Sequence, residues 1–478
     1  MLNPLTPFIP WLIGAFLAAA LSASRGHSPA ICIVFAGAGG FLAYEVFAFL
    51  ISASTLLGIS PFNELVPFIL YVSLFMLVLF SNFYCKTIEI LSERLHAPVS
   101  KTSVIFLLIP LAPIFLSTVI STFSPVSGWD SLDFWANKSA RLISHFSNSS
   151  DTPFINKDRW GNTDRHPMNI SSMLAWEAYS SGTYVQLRSS NLLAVLSAFL
   201  VLGGTAGFYR SRPAVLPLVT YAFLTVPLIE NHISLIGYSE VFIAVALLIS
   251  VCLIALGLST SDQRMQLAGC FISLTCIGLK NTGFIYASLS IIGFCIVQWF
   301  YNRSSGLYLL ALTGILCLLI IISLYIGYRP FVALELDQQT LWVAGKQIKF
   351  LFPDLFSIFN IEITSKVVNI SFSLCAFLIM LAIFQLMQSK GGNDYQTELL
   401  FLLVVQILGF LVLFLSLFTH HGYSHALPTQ DTGHSRFAIP VLAITPCLVI
   451  FLVALAERKT TTNTNLSSSP AVVRSLSP

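Results

Sequence analysis

Runs of about twenty apolar residues recur from one end of the chain to the other, each the length a helix needs to cross a bilayer. They fall near 8–24, 29–53, 64–83, 103–123, 189–208, 213–229, 240–259, 266–282, 283–299, 306–327, 367–388, 397–419 and 438–456. No window between them could build a soluble domain of ordinary size. Composition agrees, since 56% of the 478 residues are hydrophobic and 9% charged, against roughly 25% charged in a soluble chain. A backbone in hydrocarbon must satisfy its own hydrogen bonds, so the expected fold class is all-α. The chain reads as a polytopic membrane helix bundle of about thirteen transmembrane helices, its periplasmic loops carrying short interfacial helices. The net charge of +3 is too slight to argue for nucleic acid or a lipid-binding tail.

Charge is informative by position. If every run crosses, the short connections holding Lys86, Arg94 and Lys101, then Arg210 and Arg212, Arg264, Arg303, Lys390, and Arg458 with Lys459 share one side. By the positive-inside rule that side is the cytoplasm. Connections 54–63 and 230–239 contain no Lys or Arg and belong outside. The first run, with Arg25 after it and no basic stretch before it, is expected to stay as a span rather than be cleaved. All nine cysteines lie in or beside apolar runs without a CxxC spacing, and read as small core hydrophobes.

The expected organisation is 1–123 for helices one to four, 124–188 for a first large periplasmic loop, and 189–327 for helices five to ten. It continues with a periplasmic amphipathic segment over 328–366, helices eleven to thirteen over 367–456 with a periplasmic loop at 420–437, and a disordered cytoplasmic tail at 457–478. Within 328–366, Leu341-Trp342-Val343, Ile348 and Phe350-Leu351-Phe352 alternate with Lys346, Lys349 and Asp354. That pattern fits a helix lying on the membrane surface, or plain connecting structure.

The chemistry should sit where the three long loops meet the helix ends, because polar groups in a bundle are costly and tend to mark function. In the first loop, Trp129, Leu132, Trp135 and Ala136 keep helical spacing, so an interfacial helix is expected there. Asp130 at its start can act as a general base, although a lone Asp there is more often an N-cap, with Asp133 facing water. Lys138 and Arg141, one and two turns on, are placed to grip a phosphate. His166-Pro167 opens a further helix that leads through Leu174-Ala175-Trp176 toward the fifth span. Glu240 begins the seventh span, and Lys280 ends the eighth, where a lysine either snorkels or pairs with an anion. The last loop holds His420, His421, His425, His434 and Arg436. Its histidines lack a fixed carboxylate, so the metal reading is weak there, whereas Arg436 suits a phosphate.

The strings Gly128-Trp129-Asp130 through Lys138-Ser139-Ala140, His166-Pro167 with Leu174-Ala175-Trp176, Gly237-Tyr238-Ser239-Glu240, Lys280-Asn281-Thr282-Gly283 and Arg436-Phe437-Ala438-Ile439-Pro440 together resemble the bacterial GT-C superfamily of polyprenyl-phosphate-sugar glycosyltransferases. The resemblance lies in their order and shared outer placement. It implies a multi-pass protein of the bacterial inner membrane with its active site facing the periplasm. The implied partners are a polyprenyl-phosphate-sugar lipid and an acceptor glycan, lipid or protein. Asp130, Asp133 and Glu240 become the catalytic candidates. Lys138, Lys280 and Arg436 become the donor-phosphate ligands, and Trp135, His166 and His434 the contacts to sugar or acceptor. The resemblance fixes no cofactor; some members use a divalent metal ion, which here only Asp130, Glu240 and the histidines could support. The family's acidic loop normally follows the first span, whereas Asp130 follows the fourth. Spans one to three then read as an N-terminal addition. An O-antigen polymerase or ligase is the alternative, and a transporter or flippase of a lipid-linked sugar the third reading.

Overall fold

The computed structural model describes residues 6–56, 135–136, 139–140, 142–143, 169–181, 189–209, 239–280, 283–301, 332–335, 340–343, 346–349, 377–384, 396–416 and 440–454. Every described element of the packed body is helical. A single 3-10 turn, Thr6–Phe8, leads into α1 (Ile9–Ser24), whose Pro10 is tolerated because first-turn amides need no intrahelical partner. Gly26 follows α1 with φ 75°, the left-handed conformation that closes a helix at little cost to glycine. The chain then reverses into α2 (Pro29–Leu56).

Small residues let these helices approach closely. A Cβ at Gly14 would lie 2.2 Å from that of Ala43, and one at Gly40 would lie 2.6 Å from the Trp11 ring. On the other side of α2, a Cβ at Gly204 of α4 (Ser189–Phe208) would meet the Ala30 carbonyl at 2.6 Å. Such contacts drive helix association where hydrocarbon surrounds the protein and the hydrophobic effect is weak. Helices α1 and α2 are therefore joined closely to the rest of the body, not appended to it.

At the centre lies α5 (Ser239–Ser259), buried from Ser239 to Gly257. It is followed by an antiparallel hairpin of α6 (Gln263–Leu279) and α7 (Gly283–Tyr301). Ser273 and Ser290 tie the hairpin together at 2.6 Å, and Ser250 of α5 donates to Ser290 at 3.2 Å. Outside these pack α8 (Gln396–Ser416) and the helical segment Pro440–Ala454, linked by Gln406 Nε2 donating to the Val441 carbonyl at 3.1 Å.

Five described helices are long and apolar enough to cross a membrane: Thr6–Ser24, Pro29–Ser52, Ser190–Phe208, Ser239–Ser259 and Gly283–Phe300. Each coincides with an expected span, and the break expected at 282/283 is a real turn between two helices. Their outward side chains include Leu12, Ile292 and Phe300, at 53%, 47% and 68% exposure. A surface so apolar is one that a bilayer would cover, as in a multi-pass membrane protein. The expected spans at 64–83, 103–123, 213–229 and 306–327, and the tail at 457–478, lie outside the described residues.

Two loop expectations change. Residues Asn169–Ser181, α3, fall in the first large loop, yet this helix is buried in the body across α2. Its small polar face, Asn169, Ser171 and Ser172, lets it pack tightly; Ser172 and Ser52 meet at 2.9 Å. In place of the expected surface helix, 332–349 contains three antiparallel strands, β1 (Val332–Glu335), β2 (Thr340–Val343) and β3 (Lys346–Lys349). Val343 pairs with Lys346 across a two-residue connection, Ala344-Gly345, the length of a tight hairpin. Thr340, Trp342, Val343 and Ile348 are strand formers, and that local preference outweighs the helical spacing read from the longer segment.

Candidate functional site at one end of the bundle

The body has two polar ends. His27, in the α1–α2 turn, and Asp262, in the α5–α6 turn, meet at 3.7 Å at one of them. The opposite end gathers the starts of α1, α4, α5 and α7 with the close of α6.

There Glu240 occupies the first turn of α5, where the unpaired amides of a helix start favour a carboxylate. Helix α6 ends at Leu279, and Lys280 adopts an extended backbone as the chain turns toward α7. The turn is closed by Gly283 N–H donating to the Lys280 carbonyl at 2.8 Å. Only glycine fits there, since a Cβ would lie 1.7 Å from the Cys276 carbonyl oxygen. This geometry carries Lys280 Nζ to 2.5 Å from Glu240 Oε1, with the two side chains 17% and 6% exposed. Ser239 Oγ also donates to Glu240 Oε2 at 3.2 Å. Lys280 and Glu240, read from the sequence as separate candidates, thus form one ion pair across 40 residues.

Three residues of this end escaped the sequence reading. Glu45 lies inside the second apolar run and is 1% exposed. Its neighbours show how high in the body it sits. Tyr44 Oη donates to Glu177 Oε1 at 3.3 Å, and the same oxygen accepts the Ser190 amide at the start of α4. Trp176, edge-on to Phe47, donates to the Pro7 carbonyl just before α1. Glu45 is therefore level with the starts of α1 and α4. Asn169 Nδ2 donates to Glu45 Oε2 at 3.4 Å. The same amide nitrogen lies 2.5 Å from where a Gly278 Cβ would be, two residues before Lys280. Glu45, Asn169, Lys280 and Glu240 thus form one buried polar layer, with Cys276 within electrostatic reach of Glu45 and Tyr286 within reach of Glu240.

Glu177 has a different task, because holding the first amides of α4 is what a capping carboxylate does. A carboxylate alone in an apolar run was the signal for Glu45. Nothing local marked Asn169, which matters only through its contacts with α2 and α6.

Of the other candidates, Trp135 is 4% exposed and packed into the helical core, so its ring is held by protein. Asp130, Asp133, Lys138, His166, His434 and Arg436 lie outside the described residues. Among the described residues, no three His, Cys, Asp or Glu side chains converge to hold a metal ion. The described cysteines are free; Cys32, Cys252, Cys270, Cys276 and Cys447 are buried, as small hydrophobes would be, and Cys295 is half-buried. At the His27 end, a cavity of about 520 Å³ is lined by His27, Ile31, Asp262, Arg264 and neighbouring turn residues. Compared with protein-family models, curated proteins and solved structures, the chain matches none.

Proposed function

We propose that the chain is an integral membrane glycosyltransferase of the GT-C type. In this reading it moves a sugar from a polyprenyl-phosphate donor to a periplasmic-side acceptor, with its site at the Lys280 end of the bundle. The meeting of Lys280 and Glu240 supports this best: a cation and a carboxylate from two helix ends are buried together where a lipid headgroup would enter. An ammonium has three donors and Glu240 takes one, so Lys280 can also bind a phosphate oxygen while Glu240 fixes its direction. The acceptor hydroxyl would attack the anomeric carbon, giving its proton to Asp130. The bond from that carbon to the phosphate oxygen breaks with inversion, and the departing phosphate is stabilised by Lys280 and Arg436.

The positive-inside distribution supports the orientation, since Arg25 and Arg264 both fall at the His27 end. Asp130→Asn is expected to preserve expression and donor-lipid binding while lowering turnover about 100-fold or more, the scale for loss of a general base. Near-normal turnover would remove Asp130 from the mechanism. A flippase of lipid-linked sugars, the third reading from the sequence, gains support from Glu45 as a carboxylate buried within a spanning helix. Mass spectrometry of the reaction mixture separates the two, because only the transferase forms a new glycosidic bond in detergent.

A further inference from the structure

Glu45 is the one carboxylate of this end whose burial no described contact explains. Glu177 holds the start of α4, and Glu240 is paired with Lys280. Among the described residues, Glu45 has one neutral donor, Asn169, on Oε2, and its Oε1 is fully buried without a hydrogen-bond partner. Ser171 Oγ of α3 and Asn191 Oδ1 of α4 are likewise buried without a partner among the described residues. Leaving a buried acceptor without a hydrogen bond is costly, so such atoms rarely persist unless something else uses them.

A carboxyl oxygen without a partner can accept from a hydroxyl, which suits either protonation state of the group. The acceptor face from α2 and α3 and the cation from α6 lie at the same end of the body, linked through Asn169 and Gly278. We infer that Glu45, positioned by Asn169, accepts a hydrogen bond from a hydroxyl of a carbohydrate headgroup whose phosphate is held by Lys280. The identity of the ligand rests on the function proposed above. The role of Glu45 gives the N-terminal helices a purpose: α2 supplies the sugar-recognising half of the site, and α6 the phosphate-binding half.

The test uses the full-length protein in lipid nanodiscs. The probes are undecaprenyl phosphate carrying glucose, galactose, N-acetylglucosamine or arabinose, each against sugar-free undecaprenyl phosphate. The wild type should prefer one glycosylated lipid to the sugar-free one. Glu45→Gln keeps the shape and an oxygen for Asn169, but places an amide donor where the open acceptor was. It should weaken the preferred glycosylated lipid about tenfold, the scale of one hydrogen bond, and leave the sugar-free lipid unchanged. If Glu45→Gln does not fold, Glu45→Asp, which withdraws the carboxylate by one carbon, should show the same selective loss. Glu177→Gln should lower stability without touching the preference. An unchanged preference in the Glu45 variant, or an equal fall for both lipids, overturns the inference while leaving the donor-lipid reading in place. A wild type that binds none of the lipids defeats the proposed function itself, and the inference with it.

Discussion

The two polar ends of the bundle solve different problems. At the His27 end, most polar contacts complete turns, although buried Gln298 Nε2 also donates to Gln266 Oε1 between α7 and α6 at 3.4 Å. Asp262 accepts the amides of Arg264 and Met265 to start α6, His27 Nδ1 meets Ser22 at 3.0 Å, and Gln266 donates to the Gly257 carbonyl at 2.9 Å. The ion pair there is long and a fifth to a quarter exposed. At the Lys280 end, the polar contacts join separate elements and are buried, and they include more charge than the turns require. A turn needs caps; it does not need Glu45, Glu240 and Lys280. Polar groups that merely close a helix are cheap and local, whereas those held across elements in a dry environment need another reason to be there.

That contrast can be broken most forcefully at Lys280. Lys280→Met leaves Glu240 buried without its cation, and stability should fall by about 3–5 kcal/mol in reversible unfolding from mixed micelles. A loss below about 1 kcal/mol would place the pair with ordinary surface ion pairs. Gly278→Ala probes the same end through packing. Its Cβ would lie 2.5 Å from Asn169 Nδ2, so α3 must shift, and about 1–3 kcal/mol should be lost by the same measurement. At the other end, Asp262→Ala removes a cap and should cost about 1 kcal/mol. His27→Gln should cost less still, under about 1 kcal/mol, because its ion pair is partly solvated. Donor-lipid affinity should be unchanged in both His27-end variants, and a drop in either would mean that the two ends are coupled.

Much of the fold could be read from hydropathy, because the bilayer imposes one length and one backbone solution on every span. Helices α1, α2, α4, α5, α6, α7 and α8 begin or end within a few residues of the apolar runs that announce them. The site was only half legible. Glu240 and Lys280 stood out as charges at the ends of apolar runs, but their pairing depends on α5 and α6 being antiparallel neighbours. Glu45 looked like an interruption of a span, since a hydropathy run cannot show that α2 rises past the starts of α1 and α4. Helix α3 was expected to open at His166-Pro167, which lie outside the described residues, and it is helical from Asn169 onward. Its burial was hidden because Asn169, Ser171 and Ser172 look like loop residues, although they make a face small enough to dock on α2. The strands at 332–349 were missed because Trp342 and Ile348 suit a membrane-surface helix as well as a hairpin.

The central claim is that the buried charges at the Lys280 end serve a ligand rather than the fold. The double variant Glu240→Leu with Lys280→Met tests it, because replacing both partners of a buried ion pair by apolar residues of similar size is often neutral for stability. Binding of glycosylated undecaprenyl phosphate to the purified double variant is the measurement. A protein folded as well as the wild type, with affinity reduced about tenfold or more, is the expected result. Wild-type affinity in a well-folded double variant would contradict the account and return Glu240 and Lys280 to a structural role.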